Sequence, residues 1–348
     1  MKWLPKYTFY SFQCDFIAGI TVALMVIPQA LAYAVIAGLP TQYGLYSAFM
    51  GGFVYCLLGS CKDLAVGPAA IMALMAGVFG RKNDPNFAIT LSLFCGIILL
   101  FMGFLSLGFI VRLIPVPVIS GFTSAASIII ACEQLPNLLG LTVESDEFFP
   151  FLKTTFSNIS QTNIWDVVLG VICMAILEVM RNFSKIEWPS VNEFPPSLLQ
   201  KVARKFMWVM EIGRNAVIVF ACMLIAYAFH CKDSHPFSLT GKVQDGLPPF
   251  KVPRLKSGDK NSTISTGTML RDIGAGLVVV PMIAFLTSIA IAQSFSRKNN
   301  YQVNPSQELI ALGVANVANS FVSGFPIAGC FSRTTVNSMT GVATPFGG

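Results

Sequence analysis

The chain has 348 residues, of which 11% are charged and 54% hydrophobic, and its formal net charge is +6. Soluble globular chains carry about 25% charged residues, and the thinly spread positive charge forms no basic stripe of the kind that phosphate recognition requires. The composition therefore excludes a disordered chain, an ordinary soluble enzyme and a nucleic-acid-binding protein. It predicts an all-α polytopic membrane protein with the lipid bilayer as its main partner.

A helix needs roughly 20 mostly apolar residues to cross about 30 Å of hydrocarbon. Two stretches of the chain, which begin near Gly67 and Cys330, are too short or too interrupted to be ordinary spans. We predict half-helices for these two stretches and transmembrane helices for the apolar runs that approach the full length. In chain order these runs are 16–38, 43–60, 87–110, 112–131, 164–180, 215–230, 273–295 and 307–323.

The N-terminus resembles a signal peptide, because Lys2 and Lys6 precede an apolar stretch. Asp15 interrupts this stretch, however, and the apolar run continues past the small residues that would form a cleavage site. We therefore expect residues 1–14 to be a cytoplasmic N-terminus rather than a cleaved leader.

A charged loop at 231–271 then lies on the extracellular or lumenal side. It contains the glycosylation tripeptide that begins at Asn261, and a second such tripeptide begins at Asn158 on the same side. Such acceptors are usable only outside the cytoplasm. The sequence therefore predicts glycosylation at Asn261 and Asn158.

A faint internal repeat relates the two ends of the chain. The first span opens with DFIAG at 15–19, and the span after the loop opens with DIGAG at 272–276. At a similar spacing, Gly67-Pro68 precedes the first half-helix and GFP at 324–326 precedes the second. Seven segments separate the two starts, so the copies run in opposite orientations, as in secondary transporters whose site lies near the membrane midplane. The alternative is a chance recurrence of DxxAG in two Ala- and Gly-rich helices.

The repeat divides the chain into a first seven-segment repeat at 15–230, the loop at 231–271, and the start of a second inverted repeat at 272–348.

Arg333 is the ionisable residue of greatest interest, because it lies at the start of the second half-helix. An arginine at the bilayer centre costs about 2.5–3.5 kcal/mol on insertion scales and normally faces a cavity or a partner. If the half-helices meet head to head, their N-termini each contribute about half a positive charge and offer free N–H groups to an anion. Together with Arg333 they give roughly two positive charges, which a divalent oxyanion such as sulfate neutralises. The alternative is that Arg333 snorkels to an interface and binds phospholipid.

Gln29 and Tyr33 lie four residues apart on one face of the first span, just after Pro28. An amide N–H and an aromatic edge both suit an anion, although Gln29 could instead form an interhelical hydrogen bond. The sequence has no cysteine and histidine cluster with metal-ligand spacing, and it has no GxSxG, HExxH or GxxxxGK[ST] motif. We therefore predict no metal, no cofactor and no enzymatic activity, and transport down ion or substrate gradients.

Several tracts resemble the sulfate permease family of anion transporters. They are DFIAGITVALMVIPQALAYAVIAGLPTQYGLYSAFMGGFVYCLLGSCK at 15–62, GPAAIMALMAG at 67–77, GFTSAASI at 121–128, DIGAGLVVVP at 272–281, NNYQVNPSQELIALGVANVANSFVSGFPIAGCFSRTTVN at 299–337 and TGVATP at 340–345. The resemblance implies two inverted repeats of seven segments each, arranged as core and gate domains that move like an elevator, and a homodimer. Ten of those fourteen segments fall within the chain, so we expect the second repeat to be incomplete.

The resemblance also implies the function and the site. The function is secondary active transport of sulfate, with exchange of chloride, bicarbonate or oxalate, in the plasma membrane or the lysosomal membrane. In the family the anion lies between the N-termini of segments three and ten, near side chains of segment one. These positions correspond to Gln29 and Tyr33, to Ala69, and to Ser332 and Arg333. Several relatives have a bulky aromatic residue where this chain has Ala69, which implies a roomier pocket.

Segment eight of proton-coupled and sulfate-transporting relatives often carries a glutamate, and here Thr287 occupies the matching position. A buried carboxylate would couple proton binding to anion binding, because each offsets the charge of the other. Since Thr287 cannot titrate, we predict exchange or uncoupled conductance rather than strict proton symport. An anion channel and a transport-inactive scaffold remain alternatives. A third alternative is a nucleobase permease of the same architecture. It would favour an acidic residue at this position, so Thr287 is evidence against it.

Overall fold

The computed structural model describes residues 3–80, 84–109, 116–141, 148–183, 217–229, 237, 246–254 and 265–348. These residues form helices and a single pair of two-residue strands, which confirms the all-α class. The helices are α1 (Phe9–Ile36), α2 (Gln42–Leu58), α3 (Ala70–Phe79), α4 (Pro85–Phe104), α5 (Val116–Leu139), α6 (Phe148–Ser157), α7 (Ile164–Phe183), α8 (Val217–Phe229), α9 (Thr266–Ile273), α10 (Gly276–Lys298), α11 (Pro305–Phe321) and α12 (Phe331–Met339). The strands are β1 (Val66–Gly67) and β2 (Ala328–Gly329).

Three of the described helices are long and apolar enough to cross a membrane, namely α1, α4 and α10. Helices are present at all eight positions predicted for spans, and α5 and α7 have 24 and 20 residues. Helices α2 and α11 have 17 residues each, which is roughly 26 Å at a rise of 1.5 Å per residue. The predicted run at 43–60 extends two residues past the end of α2, and the predicted run at 307–323 extends two residues past the end of α11.

Helix ends differ from the predicted ones where capping, rather than hydrophobicity, sets the boundary. Helix α1 begins at Phe9, well before the predicted residue 16, because the Thr8 hydroxyl accepts a hydrogen bond from the Ser11 N–H at 3.2 Å. Helix α9 was not predicted at all, since its sequence is polar. It begins at Ser265, whose hydroxyl accepts from the Thr268 N–H, so the predicted loop boundary at 271 falls inside a helix.

The chain divides into two compact units, 1–130 with 242–348 and 131–241. In the first unit, α4 and α11 make the most extensive helix contact. Gly96 and Gly313 allow this close approach: a Cβ at Gly96 would lie 2.6 Å from the backbone nitrogen of Val317, and one at Gly313 would lie 2.8 Å from that of Leu100. Small residues at a crossing are typical of helices packed within a membrane.

The second unit contains α6, α7 and α8. The Asn163 N–H donates to the carbonyl of Leu139 at 3.0 Å, which joins the start of α7 to the end of α5. The sulfur atoms of Cys173 on α7 and Cys222 on α8 lie 3.3 Å apart. Large apolar side chains remain exposed along both helices, including Val171, Ile172, Phe220 and Leu224. Exposed apolar surface of this extent indicates contact with lipid or with other protein.

The order of elements in the first unit occurs twice. A long helix, a 17-residue helix, a short strand and a short helix appear as α1, α2, β1 and α3, and again as α10, α11, β2 and α12. The two strands pair antiparallel, with Val66 opposite Gly329 and Gly67 opposite Ala328. Antiparallel pairing of equivalent strands is what an inverted repeat requires, so the arrangement supports the predicted repeat.

Two of the residue matches on which the repeat was predicted are nevertheless wrong. Asp15 lies inside α1 and is buried, whereas Asp272 is exposed in α9, which ends at Gly274 with a positive φ of 49° before α10 begins. Gly67 ends β1 as Gly329 ends β2, whereas Gly324 lies in the loop between α11 and β2. The predicted repeat matched residues of similar type, whereas in the structure the two copies correspond by the order of their helices and strands.

Candidate anion site

The two half-helices begin side by side at the strand pair. Helix α3 starts after β1 with Ala69 as its N-cap residue, and α12 starts after β2 with Cys330 in the same role. Because the strands are antiparallel, the helices leave the strand pair in opposite directions and their N-termini converge. The Ala69 side chain cannot cap α3, whereas the Cys330 sulfur lies 3.3 Å from the Ser332 hydroxyl and beside the backbone N–H groups of Ser332 and Arg333. The first-turn N–H groups of α3 are therefore available to a ligand, and those of α12 also face the Cys330 sulfur.

Arg333 lies in the first turn of α12 and is fully buried. Its Nη1 donates to the carbonyl of Pro68 at 2.6 Å and to Oε1 of Gln29 at 3.3 Å. Its Nε and Nη2 have no hydrogen-bond partner among the described residues. Both acceptors that it does have are uncharged. The guanidinium thus holds a full positive charge with two buried donors still to be satisfied.

Gly67 sets the distance between β1 and this guanidinium. A Cβ at Gly67 would lie 3.3 Å from Nη2 of Arg333, which is tighter than an ordinary contact. A side chain here would push the arginine away from the strand. The glycine therefore lets the backbone of β1 approach one of the two donors that lack a partner.

The structure brings Gln29 and Tyr33 to the same place. Helix α1 runs without a break through Pro28, and Gln29 reaches Arg333 directly. Tyr33 is half-buried, with its phenol beside the Cys330 thiol and within electrostatic range of Arg333. Gln29 joins α1 to α12, so it also forms the interhelical hydrogen bond that was its alternative predicted role.

The remaining anion-site candidates, Ala69 and Ser332, differ in their exposure to solvent. Ala69 is buried and directly follows Pro68, whose carbonyl holds Arg333. Ser332 is exposed, and its hydroxyl lies 3.3 Å from the sulfur of Cys330. The predicted residues thus converge on the start of α12, although Ser332 faces out of the buried part of the site.

No hydrogen bond among the described residues joins Thr287 to this site. It is half-buried in α10, and its hydroxyl donates back to carbonyls of its own helix, to Ile283 at 2.8 Å and to Ala284 at 3.2 Å. The next residue, Ser288, does reach it: its buried hydroxyl accepts the N–H of Gly329 at 2.8 Å and so fixes β2. Sequence reasoning missed Ser288, and the coupling role of Thr287 stays a prediction.

The predicted glycosylation residues lie far apart in the chain. Asn158 is half-buried in the turn between α6 and α7, where its carbonyl accepts the N–H of Gln161 at 2.9 Å. Ser160 of the same tripeptide is exposed. Asn261 lies outside the described residues.

Asparagines of α11 hold the segment that leads into β2, and sequence reasoning missed them. The Asn316 amide accepts the Ile327 N–H at 2.9 Å and donates to the Ile327 carbonyl at 3.0 Å. Asn319 donates to the carbonyl of Phe325 at 2.7 Å, and the Ser47 hydroxyl of α2 accepts the Phe325 N–H at 2.8 Å. These residues are buried polar groups in apolar helices, which is a signal that the sequence did contain.

Helix α12 is tied to the segment before β1 in the same way. The Thr334 hydroxyl accepts the Ala65 N–H at 3.2 Å, and the Asn337 amide donates to the Asp63 carbonyl at 2.9 Å. The position of Arg333 therefore depends on side chains on either side of it in the sequence.

Three carboxylates are buried among the described residues of the first unit, and each accepts a hydrogen bond from a tyrosine hydroxyl. Every hydrogen bond that they accept within the described residues comes from an uncharged donor. Burial, together with the nearby Cys61 and Asp63, raises the pKa of Tyr301, which keeps its phenol protonated as a donor. The pairs are Tyr7 with Asp15 at 3.2 Å, Tyr55 with Glu308 at 2.8 Å and Tyr301 with Asp63 at 2.7 Å.

Replacing Asn316 with alanine is expected to destabilise the protein by about 2 kcal/mol, because the buried N–H and carbonyl of Ile327 lose their partner. Ser320→Ala on the same helix is the matched control, since among the described residues the Ser320 hydroxyl bonds only to Val317 of its own helix. Chemical unfolding in detergent micelles measures both. Equal stability of the two variants would show that Asn316 does not hold the segment before β2.

The comparisons with known proteins agree with the resemblance seen in the sequence. The sulfate permease family matches residues 12–348. The chain is 47% identical to the bovine sodium-independent sulfate anion transporter and 33% identical to sulfate permease 2 of Saccharomyces cerevisiae, in each case across the whole chain. It spans 57% of the length of the bovine protein and 40% of the yeast protein. These relatives are named as transporters and permeases, which agrees with the prediction that the chain is not an enzyme.

Solved structures match the fold. The murine solute carrier 26 family member A9 anion transporter, in its inward-facing state, has a TM-score of 0.81 and 20% identity, covering 99% of this chain and 56% of that one. The transmembrane domain of a cyanobacterial bicarbonate transporter has a TM-score of 0.71 and 21% identity, covering 98% of this chain and 80% of that one. At these identities the likeness concerns the fold. Taken with the match over residues 12–348, it means that the chain is a multi-pass membrane protein and belongs to the sulfate permease family.

Proposed function

We propose that this chain carries the substrate site of a secondary active transporter for sulfate. One observation carries the proposal: Arg333 is fully buried at the converging starts of α3 and α12, with Nε and Nη2 lacking partners among the described residues. A buried charge without a counter-charge is costly. An anion bound between the two helix starts would supply the counter-charge and accept from both donors.

The charge at the site favours a divalent anion. Each half-helix start contributes about half a positive charge, and Arg333 contributes one, so the total is roughly two. Sulfate neutralises this total, while chloride and bicarbonate neutralise half of it. The names of the bovine and yeast relatives also support sulfate. Oxalate, a second dianion, is expected to compete.

The division of the chain into two units suggests how the site would move. All of the proposed anion-site residues lie in the unit formed by 1–130 and 242–348, and the other unit, 131–241, contains none of them. We infer that the first unit is the core domain, which carries the anion, and that the second belongs to the gate domain against which the core moves like an elevator. In the whole protein, a homodimer in the plasma membrane or the lysosomal membrane would place the gate domains at a fixed position.

The mode of transport is proposed to be exchange. Thr287, in place of a carboxylate, cannot bind a proton, and its hydroxyl is already bonded to its own helix. Uncoupled anion conductance is the second candidate, because the same side chain fits both modes. Each mode predicts a different response to an anion on the far side of the membrane.

Uptake of radiolabelled sulfate into lipid vesicles that contain the purified chain tests the proposal. We expect uptake to rise several-fold when the vesicles are loaded with sulfate or chloride instead of gluconate, and to change little between external pH 5.5 and 7.5. Protein-free vesicles provide the background. Uptake that needs no internal anion and follows the membrane voltage would indicate a channel. Uptake that increases steeply with acidity and vanishes without a proton gradient would exclude exchange.

A further inference from the structure

Cys330 places a nucleophile at the anion site. As the N-cap residue of α12 it lies directly before the first helical turn, and it is only 8% exposed. Its sulfur lies 3.3 Å from the Ser332 hydroxyl and beside the phenol of Tyr33. The thiol is therefore surrounded by the residues that would contact the anion.

The surroundings of this thiol favour its reactive form. The thiolate, not the thiol, attacks electrophiles, and a helix N-terminus and a nearby arginine both stabilise it. Cys330 has both: the start of α12, whose peptide dipoles point their positive end at the sulfur, and Arg333 three residues later.

Arg333 supplies an independent reason for a negatively charged ligand to come close. Its buried Nε and Nη2 have no partners among the described residues. Any small anion that satisfies them binds beside Arg333, whose charge acts on the sulfur of Cys330. A focused positive potential in a low-dielectric pocket raises the local concentration of anions and lowers that of cations.

We propose that Cys330 is a covalent modification site that selects negatively charged thiol reagents, because they enter by binding to Arg333. The proposal rests on the anion site of the proposed function. It adds a reactive group to that site and a class of covalent ligand, namely small anionic thiosulfonates and disulfides.

The chemistry is a thiol–disulfide type exchange. The Cys330 thiol loses its proton to water, and the thiolate attacks the divalent sulfur of a methanethiosulfonate. A new sulfur–sulfur bond joins Cys330 to the reagent's side chain as the bond to the sulfonyl group breaks. Methanesulfinate leaves with the electron pair of that bond.

Other cysteines of the chain provide internal references. Cys14 is half-buried near the start of α1, on the same unit as the site. Cys95 is fully buried in α4, where no charged group accompanies it. Labelling of Cys14 reports the intrinsic reactivity of a reagent, and labelling of Cys95 reports unfolding.

The experiment compares two methanethiosulfonates of similar size, one with a sulfonate group and one with a trimethylammonium group, on the purified chain in lipid vesicles. Mass spectrometry measures the labelling rate at each cysteine. We expect the ratio of anionic to cationic rates to be roughly tenfold higher at Cys330 than at Cys14. Millimolar sulfate should slow labelling of Cys330 and leave Cys14 unchanged. In Arg333→Gln, the ratio at Cys330 should fall to that at Cys14.

Equal ratios at Cys330 and Cys14, or no labelling of Cys330 while Cys14 reacts, would overturn the proposal. So would an unchanged ratio in an Arg333→Gln protein whose Cys95 stays unlabelled. The measurement does not require transport, so absent sulfate flux with selective labelling would overturn the proposed transport alone. Normal flux with unselective labelling would overturn the role of Cys330 alone.

Discussion

Arg333→Ala should weaken sulfate binding by about a hundredfold or more, because the anion loses two charge-assisted hydrogen bonds worth about 1.5–3 kcal/mol each. The two donors concerned are Nε and Nη2, which have no other partner among the described residues. Arg333→Lys keeps the charge but loses the planar fork of donors, so we expect an intermediate affinity. Isothermal titration calorimetry with sulfate measures all three proteins, and vesicle uptake should fall in the same order.

The control for this change is Arg297→Ala, which removes the same charge from an exposed position near the end of α10. We expect its sulfate affinity to match that of the unchanged protein. Because Arg333→Ala also removes the donor to the Pro68 carbonyl, the folded fraction must be measured alongside. Normal sulfate affinity in a folded Arg333→Ala protein would mean that the anion binds elsewhere.

The second large effect is expected for Gly44→Ala, at the contact between α2 and α1. A Cβ at Gly44 would overlap the carbonyl oxygen of Ala30 and lie 2.7 Å from its carbonyl carbon. Since backbone atoms cannot rotate away, the helices must separate, and we expect a loss of about 3 kcal/mol in the free energy of unfolding. Ala30 follows Gln29 directly, so the shift also moves an anion-site residue and should lower sulfate affinity.

Gly19→Ala is the matched control, because it makes the same change in α1. A Cβ at Gly19 would lie 3.7 Å from the carbonyl oxygen of Gly347, which is an ordinary contact. Alanine favours a helix over glycine by about 1 kcal/mol, so this variant should be as stable as the unchanged protein or slightly more stable. Unfolding in detergent micelles compares the two, and equal stability would contradict the close packing at Gly44.

Much of the site was predictable because it depends on local sequence signals. Apolar runs located the helices, Gly67-Pro68 marked an interrupted segment, and an arginine in an apolar region indicated a candidate site, where the structure places it fully buried. The spacing of Gln29 and Tyr33 placed both on one face of α1. These signals act over a few residues, so they survive without knowledge of the tertiary contacts.

The parts that could not be predicted depend on pairs of residues far apart in the chain. Thr287 and Ser288 are adjacent hydroxyl residues that both donate to carbonyls of their own helix, yet Ser288 also accepts the N–H of Gly329 in β2. Which of the two faces the strand is decided by the packing of α10. The same holds for Glu308, whose partner Tyr55 lies 253 positions away in the sequence. The predicted anion contacts of Ala69 and Ser332 remain predictions, since they concern a ligand.

The three tyrosine–carboxylate pairs show that the buried acids of the first unit are satisfied without a basic side chain among the described residues. Buried acids are commonly neutralised by arginine or lysine, and in that case Arg333 would be the obvious partner within this unit. Here phenols, hydroxyls, amides and backbone N–H groups satisfy Asp15, Asp63 and Glu308 instead. Neutral donors thus satisfy the buried acids of this unit, and Arg333, which is fully buried, makes none of the hydrogen bonds described for these acids.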